Sequence, residues 1–546
     1  MAPPSARPMG PFLLLRLVLG CSIAPALAQW THPCRFCPSE PDWAEPEPPR
    51  RLEEGTPELV IHLGAPRQTL QAWGTSLCWW ANGVGGWTDH AKLGGLLDLI
   101  FSDFSAESMH RAVHGGGPLP ESLGLTQARY NIGGGEDPRY LHFMKDGGAV
   151  EGYQAANQSW NWAADASQRA VLAGALKRGV SMVHAFSNSP PAWMTISGSA
   201  TGATGGGPNL KWNQYDAFAR YLAVVVKRFA TDPALLGGRS LVFDAVTPIN
   251  EPNSDWWKFG NNQEGCHFSP GQQSRILAML DRHIRALGIT RTPTSAAEEN
   301  WVDGTVRSVK AYSGEVQREL QLVATHTYGA SKWARPALAR WAAEHGKPLW
   351  NSEFGTGSGP LQGGISLAQA IVEDLRDLNC TVWTLWQAAD LDDSLGKDGW
   401  GLIAATYRRG RPGFRVRKQY HSFKQFTAFI RPGSTILSVT SAPHNVSAIA
   451  AMIPGRKSLV LVAANAGREE ARAPLTLSGT PSPVSTGASL CVQRVSAYRT
   501  DETHDCEPVR APVLQHGRLQ LALPRLSITT LVMDLAHSLD ETPHFV

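Results

Sequence analysis

Between Leu59 and Pro412 the chain sets down eight short apolar runs, each closing on polar or aromatic residues and each separated from the next by a helix-like stretch. The runs are "LQAWGTSLCWW", "LGLTQARYNIGG", "VSMVHAFSNSP", "LVFDAVTPINEP", "TPTSAAEENW", "LVATHTYG", "KPLWNSEFG" and "CTVWTLWQA". Helical periodicity is clearest in "QYDAFARYLAVVVKRFA" and "GQQSRILAMLDRHIRALG", where apolar residues recur every three or four positions. Eight such repeats match a closed (β/α)8 barrel with enlarged loops. A doubly wound sheet is the competing α/β arrangement, but "GVGGW" after the first run makes no phosphate-binding fingerprint.

Beyond Pro412 the pattern changes to "SLVLVAANAG", "APLTLSG", "LQLALP" and "SITTLVMDL", short and turn-bounded as in an antiparallel β-sandwich. The expected organisation is a barrel over residues 59–411 and a β-sandwich side domain over 412–546. "LVIHL" at Leu59–Leu63 precedes the barrel and is a candidate to pair with the C-terminal sheet instead. A chain of 546 residues has room for both units.

In such barrels active sites lie at the carboxyl ends of the strands. Here those ends carry Arg129 and Asn131, Asn188, Asn250 and Glu251, His326 and Tyr328, Glu353, and Trp386. Glu251 and Glu353 close the fourth and seventh runs and therefore face each other across the mouth. Two opposed carboxylates are what glycosidic cleavage requires: one protonates the leaving oxygen while the other attacks the sugar or activates water. A lone Glu after a strand is more often a solvated loop residue or a helix cap; two, in "NEP" and "SEF" contexts, favour the catalytic reading. Tyr328 is either a rim aromatic or a hydrogen-bond donor to Glu353. Arg129 is either an ordinary salt-bridge partner or a buried cation that keeps Glu353 ionised. His326 stands open between a core histidine and a sugar contact, and Glu298 and Glu299 between solvated rim residues and ligand contacts.

Composition excludes several classes. The net charge of +3, with no Lys/Arg-rich tract, leaves no electrostatic footprint for nucleic acid. No run of about 18 apolar residues suggests a transmembrane segment. The 19 Trp tilt the reading towards carbohydrate, because the indole face suits a sugar ring. Arg7, the apolar stretch "PFLLLRLVLG" and the small residues Ala26–Ala28 read as an export signal over residues 1–28, with an organelle transit peptide as the alternative. Residues 29–58 form a Cys/Pro-rich segment and linker, in which "CRFC" (Cys34, Cys37) reads as a local staple rather than a zinc half-site. Cys491 and Cys506 bracket a short polar stretch and are the expected disulfide. Sequons stand at Asn157, Asn379 and Asn445, of which Asn379 is the least plausible acceptor. No cofactor is called for, and no His/Asp/Glu cluster has metal-ligand spacing.

The ordered set "QAWGTSLCWWA", "ARYNIGG", "FSNSPPAWM", "TPINEP", "THTYG", "NSEFG", "WTLWQ" and "FTAFIRPGS" carries a resemblance. From Leu59 to the C-terminus the chain resembles glycoside hydrolase family 30 of the large clan of (β/α)8 retaining glycosidases, and most of all its endo-β-1,6-galactanase branch. The resemblance implies Glu251 as acid/base and Glu353 as nucleophile. It further implies Asn250 on the sugar 2-hydroxyl, Tyr328 positioning the nucleophile and Trp386 as a platform under the sugar. Trp80 and Trp193, in the first and third motifs, are expected as further sugar contacts, with Arg129 and His326. The implied protein is a secreted monomer that hydrolyses β-1,6-galactan-type polysaccharide, such as arabinogalactan side chains, by double displacement. A relative acting on β-1,6-glucan, glucosylceramide or glucuronoxylan is the alternative, since loops set specificity. A non-catalytic carbohydrate-binding protein is a third reading, but it predicts loss of one carboxylate and both are present.

Overall fold

The computed structural model describes residues 57–115, 118–357, 359–392, 399–440, 443–455, 458–479, 490–515 and 518–537. The expected signal segment and the Cys34/Cys37 staple lie outside the described residues.

After β1 (Leu59–Thr69), all eight expected barrel strands form: β2 (Ala72–Ser76), β3 (Gln127–Asn131), β4 (Met182–Phe186), β5 (Ala245–Thr247), β6 (Ser295–Ala297), β7 (Leu322–His326), β8 (Leu349–Phe354) and β9 (Val382–Leu385). They pair in parallel in the order β5-β4-β3-β2-β9-β8-β7-β6. A single parallel bridge, Val246 to Thr294, brings the two ends together. The Val246 N–H donates to the Pro293 carbonyl at 2.9 Å beside it.

The strand sequences explain which end of the barrel is reactive. Ala72, Ala245, Leu322, Trp350 and Val382, early in their strands, cluster as an apolar plug with Met182 against them. Residues late in the strands, among them Arg129, His184, Thr247 and His326, are polar yet buried. Outside, the helix Tyr215–Thr231 buries Phe218, Leu222, Val225, Val226 and Phe229 along one stripe. The helix Pro270–Ala286 starts with Pro at its first position, and the Gln272 side chain accepts the Ser269 backbone N–H at 2.8 Å. A small sheet of β10 (Ala389–Leu391), β11 (Ile403–Ala405) and β12 (Phe414–Val416) follows the last barrel strand.

The remaining strands are β13 (Thr435–Thr440), β14 (Val446–Met452), β15 (Ser458–Asn465), β16 (Ala471–Ser478), β17 (Leu490–Thr500), β18 (Asp505–Val509), β19 (Val513–Gln515), β20 (Arg518–Leu523) and β21 (Ser527–His537). With β1 they make a ten-stranded sheet in the order β18-β17-β21-β15-β14-β13-β1-β16-β20-β19. The sheet is antiparallel except where β1 runs parallel to β16, so the candidate N-terminal strand does join the C-terminal unit. Its apolar runs are continuous because both faces are covered. Along β15, Leu459, Leu461 and Ala463 enter the core of the β-domain, whereas Val460, Val462 and Ala464 belong to the barrel's core.

The register corrects one expectation. Cys506 is a buried free thiol. On β18 it sits beside Asp505, which pairs with Thr500, whereas Cys491 pairs with Ala536 nine residues earlier on β17. Nine residues of strand span about 30 Å, far beyond disulfide reach, so the expected Cys491–Cys506 bridge does not form. Among the described residues, no helix is long and apolar enough to cross a membrane.

Candidate active site

A cleft of about 630 Å³ opens at the carboxyl end of the barrel and is lined by Asn250, Glu251, Tyr328, Glu353 and Trp386 of the expected set. Both carboxylates are nearly buried, Glu251 at 6% and Glu353 at 3% exposure. Glu251 follows β5 in a left-handed conformation, φ +45°. Its backbone N–H donates to the Glu298 carbonyl at 2.8 Å, and its own carbonyl accepts from Trp257 Nε1 at 2.8 Å. These two bonds fix where the side chain starts. Its Oε1 accepts from Asn300 Nδ2 at 2.8 Å and lies 3.1 Å from His326 Nδ1.

Glu353, inside β8, is held from two sides. Its Oε2 accepts from the Arg129 guanidinium at 2.6 Å and its Oε1 from the Tyr328 hydroxyl at 3.0 Å. Tyr328 thus takes the donor role rather than that of a plain rim aromatic. Burial leaves the Glu353 carboxyl above its ordinary value, although the His326 and Arg129 cations act against the rise. Arg129 does act as the buried cation, and it is shared. It also reaches Asn250 Oδ1 at 2.6 Å and a Glu298 carboxylate oxygen, with its carbon 3.4 Å over the Phe186 ring.

Glu298 and Glu299 are neither solvated nor at the rim. Glu298 has no exposed surface; burial alone would raise its carboxyl, but Arg129, His326 and His184 hold it well below the carboxylate range. Glu299 is tied up by Asn253, Gln273 and Ser308. His326, fully buried beneath the cleft, faces Glu251, Glu353 (3.5 Å) and Glu298 (3.6 Å) and lies beside the Tyr328 ring. Burial opposes its charge, but Glu353, Glu251 and Glu298 together raise it from 6.5 to about 10. The imidazolium therefore carries the second positive charge of the site.

That shift has a sign that can be checked. A folded-state pKa raised to about 10 contributes stability that is complete below about pH 6.5 and is lost as pH rises through 10. The wild-type melting temperature should therefore fall between pH 7 and 10, and His326→Gln should flatten that slope. Parallel slopes for the two proteins would show that His326 is neutral.

The fold also brings Glu251, His326 and Glu353 together, with ligand atoms within 4.8 Å of one another, a spacing that could suit a cation. Sequence spacing cannot show this cluster, because its members come from three strand ends. The same geometry serves the two carboxylates directly, with His326 Nδ1 3.1 Å from Glu251 and 3.5 Å from Glu353.

Four expected sugar contacts are corrected: Arg129 and His326 have no exposed surface and do not line the cleft, and Trp80 and Trp193 fail for reasons of their own. Trp80 is fully buried, donates Nε1–H to the Ser76 carbonyl at 2.8 Å and stacks on Phe101, so it is core. Its neighbour Trp79 lines the cleft instead and meets Trp386 edge-on at 5.7 Å. The reason is local: a short helix begins at Trp80 and turns that side chain inwards. Trp193 is half-buried, bonds the Gln154 carbonyl at 3.0 Å and is not among the cleft-lining residues. Sequence reasoning also passed over Asn300, Lys145, Asp390, Tyr407 and Trp400, all of which line the cleft. Asn300 had a usable signal, since it directly follows "AAEE" at a strand end; Lys145 sits in a loop without a pattern, and Asp390 on the three-residue β10 outside the barrel.

Comparison with known proteins agrees with this geometry. Residues 56–305 match the model of O-glycosyl hydrolase family 30. The chain is 30% identical to an endo-β-1,6-galactanase of Hypocrea rufa over 414 residues, which is 73% of this chain and 79% of that enzyme. Among solved structures, a conserved exported protein of Bacteroides fragilis superposes with a TM-score of 0.69 at 20% identity, covering 87% of this chain and all of the other. A family 30 subfamily 8 xylanase of Clostridium acetobutylicum gives a TM-score of 0.58 at 18% identity, covering 87% and 99%. The structural likenesses speak for the fold. With the galactanase identity and the paired carboxylates they leave one conclusion: this chain is a glycosidase of β-glycans and belongs to O-glycosyl hydrolase family 30.

Proposed function

We propose that the protein is an exported, retaining endo-β-1,6-galactanase, with Glu353 as nucleophile and Glu251 as general acid and base. The observation that carries the mechanism is the approach of the two carboxylates, whose oxygens come within 4.8 Å. Retaining glycosidases hold their carboxyls about 5–5.5 Å apart, whereas inverting ones leave about 6.5–9.5 Å for a water. In the first step a Glu353 oxygen attacks the anomeric carbon, the glycosidic C–O bond breaks, and Glu251 gives its proton to the departing oxygen. In the second step Glu251 takes a proton from water, whose oxygen displaces Glu353 and releases the sugar.

The surrounding groups suit those roles. Arg129 and Tyr328 orient Glu353 and compensate its charge; Asn300 and His326 hold Glu251. Asn250, fixed by Arg129, is the residue for the sugar 2-hydroxyl, and Trp386 with Trp79 supplies an aromatic platform. The β-1,6-galactan substrate is supported by the Hypocrea rufa relative, and export by the N-terminal segment as read from the sequence.

The test is to incubate the protein with defined β-1,6-galacto-, β-1,6-gluco- and β-1,4-xylo-oligosaccharides and follow product lengths. Internal cleavage of the galactan series alone is expected; preference for another series would displace the substrate assignment. Neither step requires a Lewis acid, so activity should survive exhaustive chelation. A loss reversed by one particular divalent ion would contradict the two-carboxylate account.

A further inference from the structure

The cleft lining is chemically mixed. Asn300 bonds Glu251, and the exposed Trp256 stands next to Trp257, which bonds the Glu251 carbonyl. Trp79, Lys145, Asp390 and Tyr407 form a second stretch of the lining, a wall in which Lys145 lies over the Trp79 ring and feels the charge of Asp390 and, more weakly, of Glu353.

This wall is rigidly built. The Lys145 backbone N–H donates to the Asn262 carbonyl at 2.9 Å, and its carbonyl accepts from Gly148 at 2.8 Å. Asn82 Nδ2 holds the carbonyls of Gly147 and Ala149 at 3.1 and 2.7 Å. Gly147 has φ +77°, and a Cβ there would lie 2.7 Å from the Trp79 carbonyl, so the turn sits directly on Trp79. Rigid support of this kind belongs to side chains that position a ligand.

The wall also has unused hydrogen-bonding capacity. Lys145 Nζ lies 4.8 Å from the centre of the Trp79 ring and donates to Gln263 Oε1 at 2.9 Å, which occupies one of its three hydrogens. Burial, partly offset by Asp390, brings the ammonium down to about 8. Asp390 accepts one backbone N–H on each oxygen, from Leu391 and Trp400 at 2.8 Å, leaving lone pairs over. Trp79 Nε1, buried in the same wall, has no hydrogen-bond partner among the described residues. Buried polar groups are rarely left so.

We infer that Lys145 and Asp390 form the hydroxyl-reading element of the glycone subsite, taking a pair of hydroxyls on the sugar that becomes bonded to Glu353. A sugar hydroxyl both donates and accepts, so an ammonium beside a carboxylate complements neighbouring carbinol centres and discriminates their configuration. Lys145 is thus a specificity determinant for the reaction proposed above, on which this inference rests. Its effect belongs to recognition of the glycone, not to the chemistry at Glu251.

The test compares wild type, Lys145→Met and Asp390→Asn on aryl β-glycosides of β-1,6-galactobiose and of its glucose counterpart, whose sugars differ at C4. Wild type should prefer one epimer. Both variants should lose roughly 10²-fold or more in kcat/KM on that epimer and far less on the other, collapsing the ratio, as when a hydroxyl-binding group is lost. Losses that are equal on both epimers, or absent, would overturn the inference. A misfolded variant would lose both epimers together and lower the melting temperature, which Asp390→Asn checks independently. Should wild type prefer the gluco epimer, the galactanase reading falls, while collapse of that preference in the variants would still uphold the hydroxyl-reading wall.

Discussion

Glu353→Ala is expected to abolish hydrolysis of every β-glycoside, by on the order of 10⁵–10⁶-fold, because no covalent intermediate can form. Glu251→Ala should behave differently. A general acid matters most when the leaving group is poor, and contributes about 10²–10⁴-fold there. That variant should retain much of its first-step reactivity on an activated aryl glycoside and lose nearly all activity on the polysaccharide. Added azide then reports which face is open. In Glu251→Ala it attacks the intermediate on Glu353 and gives a β-glycosyl azide. In Glu353→Ala it enters the vacated space and gives an α-glycosyl azide. The contacts of Glu353 favour this division, since Arg129 and Tyr328 both converge on it as they would on a nucleophile. Product azides with swapped configurations would exchange the two roles.

Arg129→Met should be the most destabilising single change near the cleft. The guanidinium is wholly buried and pairs with Glu298 and Glu353, themselves buried. Removing it leaves two carboxylates without their cation, in a site where His326 alone would have to balance them. Breaking a buried ion pair costs about 3–5 kcal/mol. Thermal unfolding should show a large drop in melting temperature, together with near-complete loss of activity. The double variant Arg129→Met, Glu298→Gln should recover part of the stability and none of the activity, because Glu353 still lacks its partner. A single variant that melts like wild type would show that the network is not under electrostatic load.

The sequence carried the barrel well because its signal is repeated. Eight apolar runs with polar ends specify strands buried at one end and reactive at the other, and every run became a barrel strand. Glu251, Glu353, Asn250, Tyr328 and Trp386 were legible for the same reason, since a strand end fixes both position and direction. Trp80 fails where that rule stops: in "CWW" two adjacent indoles point to opposite sides, and only the start of a helix at Trp80 says which one is core. Glu298 stayed open between rim residue and ligand contact because its partner in burial, Arg129, comes from a different strand, which spacing along the chain does not show. Lys145 comes from a long loop and Asp390 from the short strand β10 outside the barrel, where spacing along the barrel repeats carries no geometric information. The Cys491–Cys506 expectation confused nearness along the chain with nearness in a sheet; the paired strands β17 and β18 hold the two residues about 30 Å apart.

The most direct test of the account is the anomeric configuration of the product as it first forms. β-1,6-linked galactotetraose would be hydrolysed in an NMR tube and the anomeric protons followed before mutarotation. Double displacement through Glu353 predicts that the new reducing end appears first as the β anomer and drifts to the equilibrium mixture. An α anomer appearing first would mean a single displacement by water, and would contradict the assignment of Glu353 as nucleophile.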